Sequence, residues 1–297
     1  MSGLFQSGFA DSMEAMLEYK TSIGYSRSTY LRHCTSFDRY CMDAWPEADT
    51  LTQPVALGWI QMKSGEQPVS IQGKCGFMRT FAKYLTSTGR KAYMLPARFS
   101  CGRSTFAPYI FTDGELSALF HEIDSFRPGT DAFQPILLST LFRLVYTCGL
   151  RPREGRTMRR PCVNTDTGEI LITETKQHKE RVVVMSDDMR GLARSYCRIR
   201  DAAFPDSDYM FPNPEGTAYS STWLGNRLRY FFRLANPDTD PEMLPHVRVY
   251  DLRHRFASAA LMRWLDNGED LKNRLPYLQA YMGHKELSST AYYIHIL

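Results

Sequence analysis

The sequence contains no run of about 18 uncharged apolar residues, so it has no candidate for a membrane-spanning helix. Its most apolar stretch, Phe133 to Leu150, is interrupted by Arg143. The N-terminus lacks a charged region followed by an apolar core, the pattern of a secretory signal. We therefore expect a cytoplasmic protein that has no membrane partner.

Paired cysteines are absent as well. The 7 cysteines form no Cys-x-x-Cys pair and no cluster with histidine, and several fall at apolar positions of helical patterns. Such cysteines are typical of reduced core thiols in a cytosolic protein rather than of disulfides or a zinc site. Aspartate, glutamate and histidine form no obvious metal cluster either, so we expect neither a metal nor another cofactor.

Lysine is scarce among the basic residues: of 36 in total, 9 are lysines and 27 are arginines. The formal net charge is only +4, which by itself is weak evidence for a polyanionic partner. Arginine, however, presents a planar fork of donors that matches phosphate. With 43% hydrophobic and 23% charged residues, the composition is that of a soluble globular protein, with a modest bias towards nucleic-acid binding.

Residues 1–95 show the apolar spacing of four helices with short connections, which predicts a small helical bundle. The predicted helices are residues 4–22, a helix capped by Ser26 that carries Tyr30 to Cys41, residues 52–63 and residues 69–85. Basic side chains decorate this bundle as candidates for DNA contact, with an ordinary solvated face as the alternative. They are Arg27, Arg32, Lys74, Arg79 and Lys83.

Residues 96–109 combine two prolines, a glycine, serines and a threonine, which indicates a linker. Residues 110–297 then predict a mostly helical second domain with one small antiparallel sheet. It opens with a capping box from Thr112 to Glu115. The further predicted elements are a helix at 133–148 that ends at Gly149, a hairpin of strands 169–175 and 181–186, and helices at 187–203, 221–235, 247–266 and 271–281.

Isolated basic residues stand at junctions of this second domain. Arg151 lies between Gly149 and Pro152, which suits the first turn of a new helix, and Glu154 three residues later can orient it. Tyr250 and Arg253 share one face of a helix because they are three residues apart. Taken singly, Arg151 is compatible with an ordinary surface arginine at a helix start, and Arg253 is compatible with pairing in the interior or with lining a cleft.

The tip of the predicted hairpin is also basic, with Lys176, His178, Lys179 and Arg181 close together. A lysine on such a turn can reach into a groove and donate a proton, although basic turns are often merely solvated. Exposed polar residues of the helix at 221–235 are candidates for reading bases or phosphates. They are Asn226, Arg227, Arg229 and Arg233.

The last sixteen residues hold a Gly-His pair and two adjacent tyrosines, with Tyr293 nine positions after His284. A free tyrosine has a pKa near 10, so only about 0.1% is ionised at neutral pH, a deficit of roughly 4 kcal/mol. Two arginines and a histidine nearby would favour the phenolate and offset much of that deficit. Tyr293 is therefore a candidate nucleophile for a phosphodiester, and Tyr292 is the alternative.

Four segments together resemble the tyrosine recombinase (phage integrase) family: GLRPREG at 149–155, TKQHKER at 175–181, YDLRHRFA at 250–257 and MGHKELSSTAYYIHI at 282–296. The resemblance implies catalytic arginines at Arg151 and Arg253 and a catalytic lysine at Lys176, with Lys179 in reserve. It also makes His284 the late histidine and Tyr293 the nucleophile. Glu154 and His254, which belong to the same motifs, become supporting residues. The first domain is similar to the family's core-binding domain.

Two departures from the family pattern change these expectations. Position 250, where the family usually has histidine, is Tyr250, which can donate a hydrogen bond but is a worse proton acceptor near pH 7. We therefore expect Tyr250 to support catalysis while Lys176 and His284 handle protons. Only four residues follow Tyr293, so we expect any assembly to use a surface other than a long C-terminal segment.

The resemblance implies a two-domain clamp around duplex DNA that cleaves and rejoins strands through a 3′-phosphotyrosyl bond, without metal or ATP. It further implies a homotetramer on DNA and an accessory directionality protein. Three alternatives stay open: a catalytically silent DNA-binding protein of the same fold, a type IB topoisomerase-like enzyme, and a metal-dependent nuclease, which alone would lose activity in EDTA.

Overall fold

The computed structural model describes residues 3–61, 66, 68–99, 107–129, 133–173 and 180–296. The chain forms two compact units, Met1–Phe106 and Ala107–Leu297. Both are built mainly from helices, and the second carries a small antiparallel sheet. The predicted fold class is confirmed.

The described residues of the first unit form four helices: α1 (Ala10–Ser22), α2 (Arg27–Ala44), α3 (Gln53–Ile60) and α4 (Pro68–Ser87). Each presents buried apolar side chains to a common core rich in aromatic rings. Phe37 lies at its centre, with ring centroids of Phe9, Trp59 and Phe81 at 5.4, 5.4 and 5.8 Å. Such tilted and edge-to-face ring contacts add to the stability gained from burial.

The start of the first unit departs from the prediction. Residues 4–9 are not part of α1, and Leu4 is 58% exposed although Phe5 and Phe9 are buried. Side chains take the place of helical acceptors here, because Asp38 accepts the backbone N–H groups of Gln6 and Ser7. Ser26 does stand at the N-cap of α2, but its hydroxyl contacts other hydroxyls and makes no capping hydrogen bond to the backbone.

In the second unit the helices are α5 (Asp113–Ser125), α6 (Phe133–Thr147), α7 (Pro152–Arg156), α8 (Asp187–Ala203), α9 (Ser221–Leu234), α10 (Val249–Asp266), α11 (Leu271–Met282) and α12 (Ser288–Ala291). Short 3₁₀ turns cover Arg160–Cys162 and Tyr292–Ile296. Helix α6 packs against α5, α8 and α10, and its residues Leu137 to Val145 are almost all buried. The predicted capping box of α5, formed by Thr112 and Glu115, is confirmed.

The predicted hairpin is confirmed by strands β1 (Glu169–Ile172) and β2 (Arg181–Val184), which pair antiparallel. Ile170 faces Val183 in the register, and both side chains are buried. Leu171 and Val182 point to the other side and are exposed. Burial alternates along each strand, as its period of two requires, whereas in the sequence the two strands show as short runs rich in β-branched residues.

A second, smaller hydrophobic core joins α10, α11 and the C-terminal 3₁₀ turn. Ala257 and Leu261 of α10 pack with Leu278 and Met282 of α11 and with Tyr293 of the C-terminal 3₁₀ turn. Tyr293 is therefore held by apolar packing as well as by polar contacts. This cluster fixes the end of the chain against α10.

Within the described ranges, no helix combines the length and the apolar character needed to cross a membrane. The same residues contain no group of three or more histidine, cysteine, aspartate or glutamate side chains placed to hold a metal ion. None of the six described cysteines forms a disulfide, and five of them are buried.

Candidate active site

Arg151 is positioned by the sharp end of α6. Gly149 adopts a left-handed conformation, with φ 58°, and the N–H of Leu150 returns to the carbonyl of Val145. A Cβ at Gly149 would also collide with the ring of Phe256, so glycine is required here twice over. Pro152 then begins α7, as predicted, and Arg151 is its N-cap residue.

Glu154 is a buried carboxylate that holds two arginines. It accepts from Arg151 Nη1 at 2.6 Å and from the backbone N–H of Arg151 at 2.9 Å. Arg181 donates from Nη1 and Nη2 to its two oxygens at 3.0 and 2.7 Å. Burial alone would raise the pKa of Glu154, but these hydrogen bonds and positive charges lower it to about 2.

The side chain of Arg181, which the sequence places at the basic end of the hairpin, is largely buried. Its side chain is only 10% exposed, and besides Glu154 it donates from Nε to the carbonyl of Tyr281 at 2.9 Å. All of these acceptors are internal, and the DNA contact expected of Arg181 stays a prediction. Arg181 ties β2 to α7 and to the end of α11.

Arg253 is completely buried on α10 and joins two further segments. Its Nη1 donates to the carbonyl of Gly149 and its Nη2 to the carbonyl of Met282, each at 2.6 Å. Burial lowers the pKa of Arg253 from its ordinary value. Arg151 donates to the next carbonyl, that of Gly283, at 2.6 Å, so both arginines meet the turn at 282–284.

His284 lies on this turn with both ring nitrogens engaged. Nε2 is 3.0 Å from Arg253 Nη2, and Nδ1 is 2.8 Å from the hydroxyl of Thr290. A guanidinium can only donate, so Nε2 is the acceptor and Nδ1 carries the hydrogen that it donates to Thr290. Burial, followed by the charges of Arg253, Arg151 and Arg181, lowers the pKa of His284 to about 4. The imidazole is neutral at pH 7.

Tyr293 is 2% exposed and its ring stacks on that of His284, with centroids 6.2 Å apart. Its hydroxyl is 3.1 Å from Nδ1 of His254. Burial raises the pKa of Tyr293 to about 12, although the charges of Arg253 and Arg151 act to lower it. Burial thus outweighs the stabilisation of the phenolate that we expected from the two arginines. Because His284 is neutral, it adds no positive charge that would favour the phenolate. Tyr292, the alternative nucleophile, is 42% exposed.

Tyr250 and His254 lie one turn apart on α10, with ring centroids at 4.9 Å. Burial lowers the pKa of His254 to about 4; the carboxylate of Asp251 opposes this, and the charges of Arg248 and Arg253 add to it. His254 is therefore a neutral imidazole beside the ring of Tyr250. Its ring stands 5.5 Å from that of Tyr293.

The remaining predicted residues divide into three groups. Lys176, His178 and Lys179 lie outside the described residues. Arg27, Arg32 and Arg227 are on described helices, the first two exposed and Arg227 stacked near Trp223 and Phe126. Lys74 pairs with Glu66 at 2.8 Å, and Arg79 donates to the carbonyls of Pro96 and Ala97, so internal contacts already hold both.

Thr290 is the residue that sequence reasoning missed. It is fully buried and fixes the ring of His284 from six positions further along the chain. A threonine in a polar segment before a tyrosine carries no signal of such a role by itself. Only the packing of α12 against the turn at 282–284 reveals it.

The fold has counterparts among solved structures. XerH site-specific recombinase bound to a palindromic difH substrate superposes with a TM-score of 0.69 at 18% identity, covering 91% of this chain and 76% of XerH. Tn1549 transposon integrase in complex with a circular intermediate DNA superposes with a TM-score of 0.71 at 13% identity, covering 97% and 95%. The chain thus has the fold of tyrosine recombinases.

Sequence comparison then identifies the family. Residues 110–297 match the model of the phage integrase family. The Sinorhizobium fredii protein y4rE, named as an integrase/recombinase, is 29% identical over 293 residues, which are 98% of this chain and 92% of y4rE. Tyrosine recombinase XerC of Lactobacillus leichmannii is 23% identical over 233 residues, 76% of this chain and 72% of XerC. The chain belongs to the phage integrase family, whose tyrosine recombinases cleave and rejoin DNA.

Proposed function

We propose that this protein is a site-specific DNA recombinase in which Tyr293 attacks a DNA phosphodiester. The attack forms a 3′-phosphotyrosyl bond and releases a 5′-hydroxyl. The observation that carries the proposal is the convergence of Arg151, Arg253 and Tyr293 on the turn at 282–284. These three side chains come from segments that are far apart in the chain, and together they supply a nucleophile and two phosphate donors.

The scissile phosphate takes the place of backbone carbonyls. Arg151 and Arg253 donate to the carbonyls of Gly283 and Met282, which are neutral acceptors. A phosphate oxygen is anionic, and charge-assisted hydrogen bonds are roughly twice as strong as neutral ones. The two guanidinium groups therefore exchange these carbonyls for the non-bridging oxygens when DNA binds. Because Arg253 and Tyr293 are buried, this exchange requires the turn at 282–284 to move outwards.

Proton transfer and rejoining complete the reaction. Lys176 is our candidate acid for the leaving 5′ oxygen, with Lys179 in reserve, and Tyr250 supports the phosphate as a hydrogen-bond donor. The 5′-hydroxyl of a partner strand then attacks the phosphotyrosine, so the bond energy is kept and neither ATP nor a metal is needed. Exchange between two duplexes calls for a homotetramer on DNA, and an accessory protein would set the direction.

Arginines of α2 and α9 supply the wider DNA contact. Arg27 and Arg32 on α2 and Arg227 on α9 are candidates for the phosphate backbone. Phosphate contacts of this kind release counterions, so binding weakens steeply as the salt concentration rises.

Covalent trapping on nicked duplex DNA tests the proposal. We expect a denaturant-resistant protein–DNA adduct from the native protein in EDTA, and none from Tyr293→Phe. Tyr292→Phe is the matched control, since it removes the neighbouring hydroxyl and should leave the adduct in place. If Tyr292→Phe loses the adduct and Tyr293→Phe keeps it, Tyr292 is the nucleophile. No adduct from the native protein on DNA that it binds would favour a catalytically silent binder.

A relaxation assay on a supercoiled plasmid that lacks the recombination site distinguishes a site-specific recombinase from a type IB topoisomerase-like enzyme. Relaxation without strand exchange would indicate topoisomerase-like activity and contradict a site-specific recombinase.

A further inference from the structure

The phenol of Tyr293 needs a proton acceptor before it can attack phosphorus, because burial keeps it protonated. Its hydroxyl is 3.1 Å from Nδ1 of His254, a hydrogen-bonding distance. Arg253 acts on the same phenol through its positive charge, and a guanidinium can only donate. One lone pair of the phenol oxygen accepts from Arg253, and the phenolic hydrogen points to the imidazole in the tautomer that leaves Nδ1 unprotonated.

Two other described groups near the phenol, His284 and Tyr250, are unsuited to accept this proton. Both ring nitrogens of His284 are already engaged, Nε2 with Arg253 and Nδ1 with Thr290. Tyr250 offers only another phenol, which is a poor acceptor near neutral pH. His254, one helical turn after Tyr250, is a neutral imidazole. In the tautomer with its hydrogen on Nε2, the lone pair of Nδ1 faces the phenol at 3.1 Å.

We propose that His254 is the general base that takes the proton of Tyr293 during attack on the phosphodiester. The assignment rests on the proposed function, in which Tyr293 is the nucleophile. It makes His254 a catalytic residue, because it touches the reacting hydroxyl. It also relieves Tyr250 and His284 of that role.

The step balances in both directions. In cleavage, Tyr293 Oη bonds to phosphorus, its proton passes to His254 Nδ1, and the bond from phosphorus to O5′ breaks while Lys176 protonates the leaving oxygen. In rejoining, the incoming 5′-hydroxyl bonds to phosphorus and gives its proton to neutral Lys176. The bond from phosphorus to Oη then breaks, and the imidazolium of His254 returns its proton to Tyr293.

The resting basicities of the two groups do not prevent this transfer. A free phenol would hold its proton against so weak a base, but the phenolic proton becomes acidic as Oη bonds to phosphorus. Transfer therefore takes place within the transition state, where a positioned base typically contributes 10²–10⁴-fold in rate.

The test uses His254→Asn in the full-length protein. The asparagine carbonyl oxygen can take the place of Nδ1 and accept the phenolic hydrogen bond, but it does not accept the proton. We expect single-turnover cleavage of nicked duplex DNA to fall by about 10²–10⁴-fold, while affinity for the same DNA stays within about twofold of the native value. His121→Asn, which makes the same exchange at an exposed position of α5, should cleave at the native rate.

A substrate with sulfur in place of the bridging 5′ oxygen distinguishes the role of His254 as the base from the role of Lys176 as the acid. The thiolate leaves without a proton, so this substrate should rescue Lys176→Ala but leave the His254→Asn defect unchanged, since Tyr293 must still lose its proton. Native protein on this substrate should show slower cleavage in D₂O, a measurement that does not depend on the folding of any variant.

Three outcomes would overturn the assignment: cleavage by His254→Asn within about threefold of native, rescue of that variant by sulfur, or no effect of D₂O on the sulfur substrate. Each of them presupposes a normal adduct from the native protein. If the native protein forms no adduct on either substrate, the proposed function itself fails.

Discussion

Replacing Glu154 by glutamine tests the electrostatic centre of the site. Glutamine keeps the shape of the side chain but removes the charge that faces Arg151 and Arg181. The pKa of Glu154 falls from 4.5 to about 2 on folding, and a tenfold change in proton affinity is about 1.4 kcal/mol. The ionised carboxylate therefore stabilises the folded chain by about 3 kcal/mol relative to a neutral one.

The contribution of Glu154 to the free energy of unfolding depends on pH. The folded pKa of Glu154 is lowered, so its contribution is complete above pH 4.5 and is lost as the pH falls towards 2. At pH 7 we expect Glu154→Gln to lower the free energy of unfolding by about 3 kcal/mol, and at pH 3 by only about 1.4 kcal/mol. The buried guanidinium of Arg181, left without its partner, adds to the loss at both values.

Urea unfolding at pH 7 and pH 3 measures both quantities. Glu215→Gln, the same exchange at an exposed residue, should change the free energy of unfolding by less than about 0.5 kcal/mol at either pH. A loss below about 1 kcal/mol for Glu154→Gln at pH 7 would refute the reasoning, as would an equal loss at both pH values.

Two further changes probe the turn at 282–284. Gly283 has a φ of 64° and its Cβ would lie 3.1 Å from Arg181, whereas Gly268 has a φ of 70° and open space around it. Gly268→Ala should lower the free energy of unfolding by roughly 1–2 kcal/mol through backbone strain alone, and Gly283→Ala should lower it by more. Thermal unfolding measures both losses. Equal losses would show that the contact with Arg181 is unimportant. Thr290→Val removes the acceptor for Nδ1–H of His284 at constant shape, so we expect a stability loss of about 1–3 kcal/mol and slower DNA cleavage; a native cleavage rate would argue against this positioning role.

Local patterns were sufficient for most of the secondary structure. The end of α6 follows from Gly149, the start of α7 from Pro152 and the hairpin from its two short β-branched runs. Each of these signals acts over a few residues, since turns, caps and strand faces are decided by neighbours in the chain. Residues 4–9 were misread because Asp38, far along the chain, takes their backbone donors.

The sequence alone determined which chemical groups are present and in which motifs they occur, because residue type and spacing need no fold. Tertiary packing decided what these groups do. It turned Arg181 inwards onto Glu154, brought Nδ1 of His254 to the hydroxyl of Tyr293, and used Thr290 to orient His284. It also made burial outweigh the arginine charges at Tyr293, because desolvation depends on everything that surrounds a group and no motif contains that information.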